Sequence, residues 1–146
     1  FLDRVQDPHN LGAIARTAEI FGAHGIVVPS RNSAKISPGA IRSSAGALEH
    51  IEFSIVNSIY KTLIYLKNMN FNILSLDMSG EDIQNTKIDP SKPLALVVGS
   101  EHDGISENVI EISNNIVSIP MKGEISSLNV SVATGIALYN IFLKRN

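Results

Sequence analysis

Three polar segments carry the residue types from which a reaction centre could be built. Asp7 to Ala23 (DPHNLGAIARTAEIFGA) holds Asn10 and Arg16 around a helix start. Leu96 to Ser106 (LVVGSEHDGIS) puts Glu101 just past an apolar run, and Ser118 to Ala137 (SIPMKGEISSLNVSVATGIA) puts Ser127 and Asn129 ahead of a helix. Each segment reads as a strand end, a polar loop and a helix. Such corners present backbone amides and short polar side chains on a rigid scaffold, which suits binding and group transfer. In parallel sheets, ligands sit beyond the carboxyl ends of strands, so the three corners are expected to converge on one rim.

Residue by residue, plainer readings compete. On the Leu11–Phe21 helix Arg16 points away from the Ile14/Ala18 stripe, as a solvated surface arginine does. Asn10 is placed to cap that helix, and Ser127 and Asn129 are ordinary residues for a helix start. Glu101 could cap a helix or pair with a base. His9 and His102 read as exposed loop residues. The four histidines show no paired helical spacing, so no metal site is expected. No GxGxxG follows a strand, and no GxxxxGK[ST] or GxSxG occurs, which argues against dinucleotide binding, triphosphate hydrolysis and acyl hydrolysis.

The elements that must position these residues alternate strand and helix. Phe1–Val5 reads as a strand, Leu11–Phe21 as a helix ended by Gly22, and Gly25–Val28 as a buried strand stopped at Pro29. A short helix follows Pro38. Ile51–Val56 is a strand, and Ser58 caps a helix to about Met69. Asn72–Asp77 is a strand, then a polar loop runs through Pro93. Leu94–Gly99, the most apolar strand, is expected at the sheet centre. Ser106–Ile112 is a short helix, Ile116–Ile119 a strand and Asn129–Leu143 the closing helix. The pattern predicts an α/β domain with a largely parallel sheet covered by helices on both faces.

Composition bounds the rest. At 146 residues, 44% hydrophobic and 18% charged, the chain is one ordinary globular domain with no internal boundary. No apolar run approaches the roughly 20 residues that span a bilayer, so no membrane is expected, and the lack of cysteine fits a cytoplasmic setting. The net charge of −2 makes no global case for nucleic acid. The stretch through His50, however, carries five basic residues against four acids. Within it Lys35 and Arg42 lie in a Ser/Gly-rich segment that is expected to face RNA phosphates or, equally, to be a solvated loop. Phe1 falls inside a strand, so a preceding segment is expected.

Read together, NLGAIARTAEIFGAHGIVVP (Asn10–Pro29), LVVGSEHDGIS (Leu96–Ser106) and IPMKGEISSLNVSVATGIALY (Ile119–Tyr139) resemble, in order and spacing, the three motifs of the SpoU (TrmH-like) branch of the SPOUT RNA methyltransferases. The resemblance covers nearly the whole chain. It implies a deep trefoil knot on the carboxyl-terminal side, S-adenosyl-L-methionine as cofactor, a homodimer, and methyl transfer to a ribose 2′-hydroxyl of RNA. Within the family the likeness leans to enzymes acting on guanosine in bacterial 23S rRNA, with the tRNA guanosine enzymes next; a non-catalytic RNA-binding relative is the alternative of another class. Members often carry an amino-terminal RNA-binding domain, which the preceding segment would supply, leaving residues 1–146 as the catalytic domain.

By the same resemblance Gly99, Ile119 and Leu128 contact the cofactor, largely through backbone groups. Asn10, Arg16, Glu101, Ser127 and Asn129 match the family's polar active-site positions. Members commonly have glycine after the second-motif glutamate, where this chain has His102 and Asp103; Gly104 is the residue left to supply the turn. Arg16 is the family's candidate for activating the hydroxyl. A guanidinium is a permanent cation, so phosphate binding and charge stabilisation are the roles its chemistry suits.

Overall fold

Parallel pairing governs every strand of the computed structural model, which describes residues 1–146. In chain order the elements are β1 (Leu2–Asp3), α1 (Pro8–Ile20), β2 (Gly25–Pro29), α2 (Pro38–Ser44), a 3-10 turn (Ala47–Glu49), β3 (Glu52–Val56), α3 (Ile59–Asn68), β4 (Asn72–Asp82), β5 (Leu94–Gly99), α4 (Glu107–Ile112), β6 (Asn115–Ser118) and α5 (Val130–Arg145). The main sheet has the order β1-β5-β4-β6, which places β5 in its interior as its apolar sequence requires. Strands β2 and β3 pair separately, from Gly25 opposite Glu52 to Pro29 opposite Val56, so the expected single sheet is divided in two.

Alternation along the strands sends side chains to two helical layers. Val98 of β5 joins Leu11, Ile14, Ala15 and Ala18 of α1, whereas Ala95 and Val97 join Leu63 of α3 and Val109 of α4 on the opposite face. In β4, Ile73 faces α3 and α4, while Leu74 packs with Ala137 and Ile141 of α5. Helices therefore cover both faces. A sheet buried on both sides must satisfy its backbone internally, which the parallel ladders do.

Several boundaries depart from the sequence reading, each for a local reason. Asp7, not Asn10, caps α1: its Oδ1 accepts from His9 N at 2.9 Å, with Pro8 filling the first helical position. The helix thus starts earlier and Asn10 is carried inside its first turn. At the other end Gly22 (φ 73°) closes α1, with Ala23 N donating to Ala18 O at 2.8 Å and Gly22 N to Glu19 O at 3.0 Å, a Schellman arrangement. Strand β1 stops at Asp3 because Arg4 turns left-handed, at φ 64°.

Strand β4 continues to Asp82, past the expected end at Asp77. Its pairing with β6 is interrupted between Leu76 and Glu81. Gly80 permits this crossing: a Cβ there would stand 2.4 Å from Ile116 C and Val117 N. The far end of α5 is tied down by two cations. Lys144 Nζ donates to Gln84 O (2.8 Å) and Thr86 O (2.9 Å), and Arg145 Nη1 to Lys92 O (2.8 Å). No helix is long and apolar enough to cross a membrane.

Candidate active site

The carboxyl ends of β1 and β5 and the first turns of α1 and α5 meet at one rim. Asn10 reaches it from α1 because the cap has been taken by Asp7; at 7% exposure it is one of few buried polar residues. Asn129 caps α5 with its Oδ1, which accepts from Ser131 N (2.9 Å), Ser131 Oγ (2.5 Å) and Val132 N (3.4 Å). That assignment leaves both amide hydrogens of Asn129 free to donate. One goes to Asn10 Oδ1 at 3.0 Å and the other to Glu101 Oε1 at 2.9 Å. Glu101 Oε1 also accepts from Asn10 Nδ2 (3.3 Å) and Val130 N (3.4 Å).

Three residues from three distant segments therefore form one closed network. The Glu101 carboxylate sits at the amino end of α5, where the helix dipole favours a negative charge. Since Oε1 takes all the contacts, Oε2 remains available to a ligand.

Glu101 rides on a tight turn that follows β5. Gly104 N donates to Ser100 O at 3.0 Å, Asp103 N to Ser100 Oγ at 3.0 Å, and Gly104 itself is left-handed at φ 65°. Gly104 thus supplies the turn despite the His102–Asp103 pair before it. Gly99 lies against this turn so closely that a Cβ would stand 2.1 Å from Gly104 C.

Beside the network opens a cavity of about 350 Å³, walled by Leu76, Val98, Gly99, Ile119, Leu128 and Val130 and reached by Ser127 and Glu101. Its ionisable lining is Asp77, Glu101, His102 and Asp103, with no lysine or arginine. Such a lining suits a cationic ligand better than a free polyphosphate. The expected cofactor residues Gly99, Ile119 and Leu128 all face this space, as does Ser127. A larger cleft of about 780 Å³ lies at the amino ends of the strands among Phe1, Phe21, Phe71, Leu138 and Phe142; none of the candidate residues lines it.

Arg16 is not brought into the network. It is exposed on α1, outside the cavity lining, and makes no hydrogen bond or ion pair within the chain. Lys35 and Arg42 are likewise exposed, Arg42 in the last turn of α2. No group of three or more His, Cys, Asp or Glu side chains stands close enough to hold a metal ion. Reading the sequence missed Asp3, Arg4 and Asp77. Asp3 is 4% exposed and bonded to the same turn, and Asp77 faces the cavity. An acid inside an apolar strand was the available signal for Asp3.

A parallel α/β domain with a cavity and a polar network at the carboxyl ends of its strands has the architecture of a ligand-binding, group-transferring domain. The model of the SpoU rRNA Methylase family matches residues 1–139, and the chain belongs to that family. It is 42% identical over 146 residues to YacO of Bacillus subtilis (strain 168), whose name places it among TrmH family tRNA/rRNA methyltransferases. That match covers 99% of this chain and 58% of the relative.

Two solved structures agree in fold. The SpoU methyltransferase AviRb from Streptomyces viridochromogenes, in complex with the cofactor AdoMet, superposes with a TM-score of 0.88 at 30% identity, covering 99% of this chain and 58% of that one. The TrmH/SpoU tRNA modifying enzyme of A. aeolicus gives 0.87 at 33% identity, covering 99% and 73%. The chain thus spans little more than half the length of YacO and AviRb.

Proposed function

We propose that residues 1–146 are the catalytic domain of a cytoplasmic, S-adenosyl-L-methionine-dependent RNA methyltransferase that modifies a ribose 2′-hydroxyl, with guanosine in 23S rRNA as substrate. The observation that carries this reading is the Asn10–Glu101–Asn129 network at the mouth of an acid-lined cavity. The cavity suits the group chemically. Its apolar walls offer a surface for an adenine ring, and its carboxylates complement a sulfonium. Gly99 lines the cavity without a side chain. When bound, the cofactor supplies a methyl group made electrophilic by positive sulfur.

The chain's own residues do the rest. Gly99, Ile119 and Leu128 hold the cofactor through backbone groups. Asn10 and Asn129, locked by Glu101, orient the ribose, and Ser127, exposed beside the cavity, offers its hydroxyl to the same ligand. Holding reactants in line is worth several kcal/mol without any acid or base. Arg16 binds the target phosphate and stabilises the negative charge that develops on the 2′-oxygen as its proton passes to solvent water.

Because Arg16 stands apart from the network within one chain, the complete site calls for a homodimer. The exposed stripe Val132, Ile136, Tyr139 and Leu143 along α5, with Ile20 on α1, offers an apolar face for a second copy. The backbone from β6 to α5 is assigned to the trefoil knot implied by the family.

Calorimetry with S-adenosyl-L-methionine is expected to give one site per chain; absence of binding would favour the non-catalytic RNA-binding reading. Mapping 2′-O-methyl groups in cells lacking the gene is expected to show one 23S guanosine unmodified. Loss of a tRNA guanosine methyl instead would favour the second reading, which the tRNA-modifying neighbour from A. aeolicus supports. Lys35 and Arg42 are assigned to RNA phosphates. Neutralising both is expected to reduce the slope of log affinity against log salt by about 0.7 per lost contact, and an unchanged slope would remove them from the interface.

A further inference from the structure

Arg4 is held in a backbone conformation that a bulky residue rarely adopts, at φ 64°. The other non-glycine residues with positive φ are Asn32, Asn70 and Ala45. Asparagine tolerates that region, and Ala45 merely ends α2. Arg4 alone among them carries a long charged side chain, and that side chain is engaged. Its Nη2 donates to Gly104 O at 3.3 Å, its Nε to Asp3 Oδ1 at 3.3 Å, and its Nη1 lies 3.9 Å from Asp103 Oδ2. The last contact involves an exposed carboxylate and contributes little. The first two are charge-assisted bonds to the closing base of the turn and to a buried acid.

Asp3 grips the same turn at its exit. Its Oδ2 accepts from Ser106 N at 2.7 Å and Ser106 Oγ at 2.6 Å, ahead of α4. At the entry, Asp3 pairs with Gly99 in the β1–β5 ladder. Two consecutive residues at the end of β1 therefore fasten the beginning, the closing base of the turn at Gly104 and the end of the segment Gly99–Ser106. Glu101, which locks Asn10 and Asn129, lies between the fastened points.

We propose that Asp3 and Arg4 are positioning residues: they clamp the Gly99–Ser106 turn so that Glu101 and the cavity wall are set before the cofactor binds. The left-handed turn at Arg4 accompanies delivery of its guanidinium to Gly104 O. The effect on the cofactor rests on the methyltransferase reading above; the clamping of the turn does not.

The decisive variant is Arg4→Gly, since glycine adopts the left-handed conformation freely while losing the guanidinium. In the intact protein the unfolding midpoint is expected to stay within about 4 °C of the parent. Loss of a charge-assisted bond corresponds to about tenfold in an equilibrium constant. Amide exchange at Ser100–Gly104 should accelerate by that factor, and the KM for S-adenosyl-L-methionine should rise similarly with the KM for RNA unchanged. Asp3→Asn, which keeps one acceptor for Ser106, should shift both readouts in the same direction.

Unchanged exchange in Arg4→Gly would overturn the clamp. Faster exchange with an unchanged cofactor KM, or a fall in kcat alone, would overturn its role in setting the site, because a merely structural residue reduces the amount of active protein without changing KM. Failure of the parent protein to bind S-adenosyl-L-methionine would count against the methyltransferase reading, and the exchange measurement would still decide the clamp.

Discussion

Glu101→Ala is expected to lower methyl transfer by about 10²-fold, the loss that follows from displacing reacting groups by about 1 Å. The reason lies in the wiring of the network. Glu101 Oε1 is the shared acceptor for Asn10 Nδ2, Asn129 Nδ2 and Val130 N. Without it Asn129 keeps its cap bonds to Ser131 and Val132 and its bond to Asn10. Asn10 Nδ2, one Asn129 N–H and Val130 N lose their shared acceptor, however, and Asn10 in particular is less firmly aimed at the ribose. Because Glu101 is exposed and packs no core, the fold should persist, and thermal unfolding should be close to that of the parent. Glu101→Gln keeps an acceptor but loses the charge, so it should fall between the two. Single-turnover assays at saturating cofactor would check this. Activity of Glu101→Ala within threefold of the parent would remove the carboxylate from the mechanism.

Gly99→Ala should be more damaging to binding and should also cost stability. The new Cβ would meet Gly104 C at 2.1 Å, Gly104 O at 2.3 Å and Ile105 N at 2.4 Å. All three are backbone atoms, so the whole turn must move rather than one side chain. Overpacking of this kind costs about 1–3 kcal/mol. The displaced turn is also the cavity wall, so cofactor affinity is expected to fall by at least about tenfold. Calorimetry on the folded variant tests this, and unimpaired binding would place the cofactor away from Gly99.

Much of this arrangement was legible in the residues. The alternation of short apolar runs with helical stripes specified a parallel sheet covered on both faces, and the apolar Leu94–Gly99 run marked the strand that lies inside it. The convergence of Asn10, Glu101 and Asn129 followed from strand direction, since all three stand after or near strand carboxyl ends. What escaped was decided by tertiary or conformational choices that residue types do not announce. Asp7 and Asn10 are both good caps, and Pro8 settled the competition by preferring the first helical position.

Nothing in the type of Arg4 signals a left-handed backbone; the turn is stabilised by a carbonyl a hundred residues away in sequence. The continuation of β4 beyond Asp77 depends on the close approach of Gly80 to β6, a contact between segments that local pattern cannot see. The helical position of Arg16, opposite the Ile14/Ala18 stripe, implies an exposed side chain, and the single chain leaves it so.

The ties at the carboxyl end of α5 have a consequence for the opposite pole of the molecule. A helix of 16 residues is about 24 Å long, and the Asn129 amide sits at its tip as a tool sits at the end of a spindle. Lys144 and Arg145 grip four backbone carbonyls of the segment between β4 and β5, Pro90 O included at 3.2 Å, and so act as the rear bearing. Play in that bearing would reach the ribose as backlash, so the aim of Asn129 is set along the full length of α5 and not only by its neighbours at the rim.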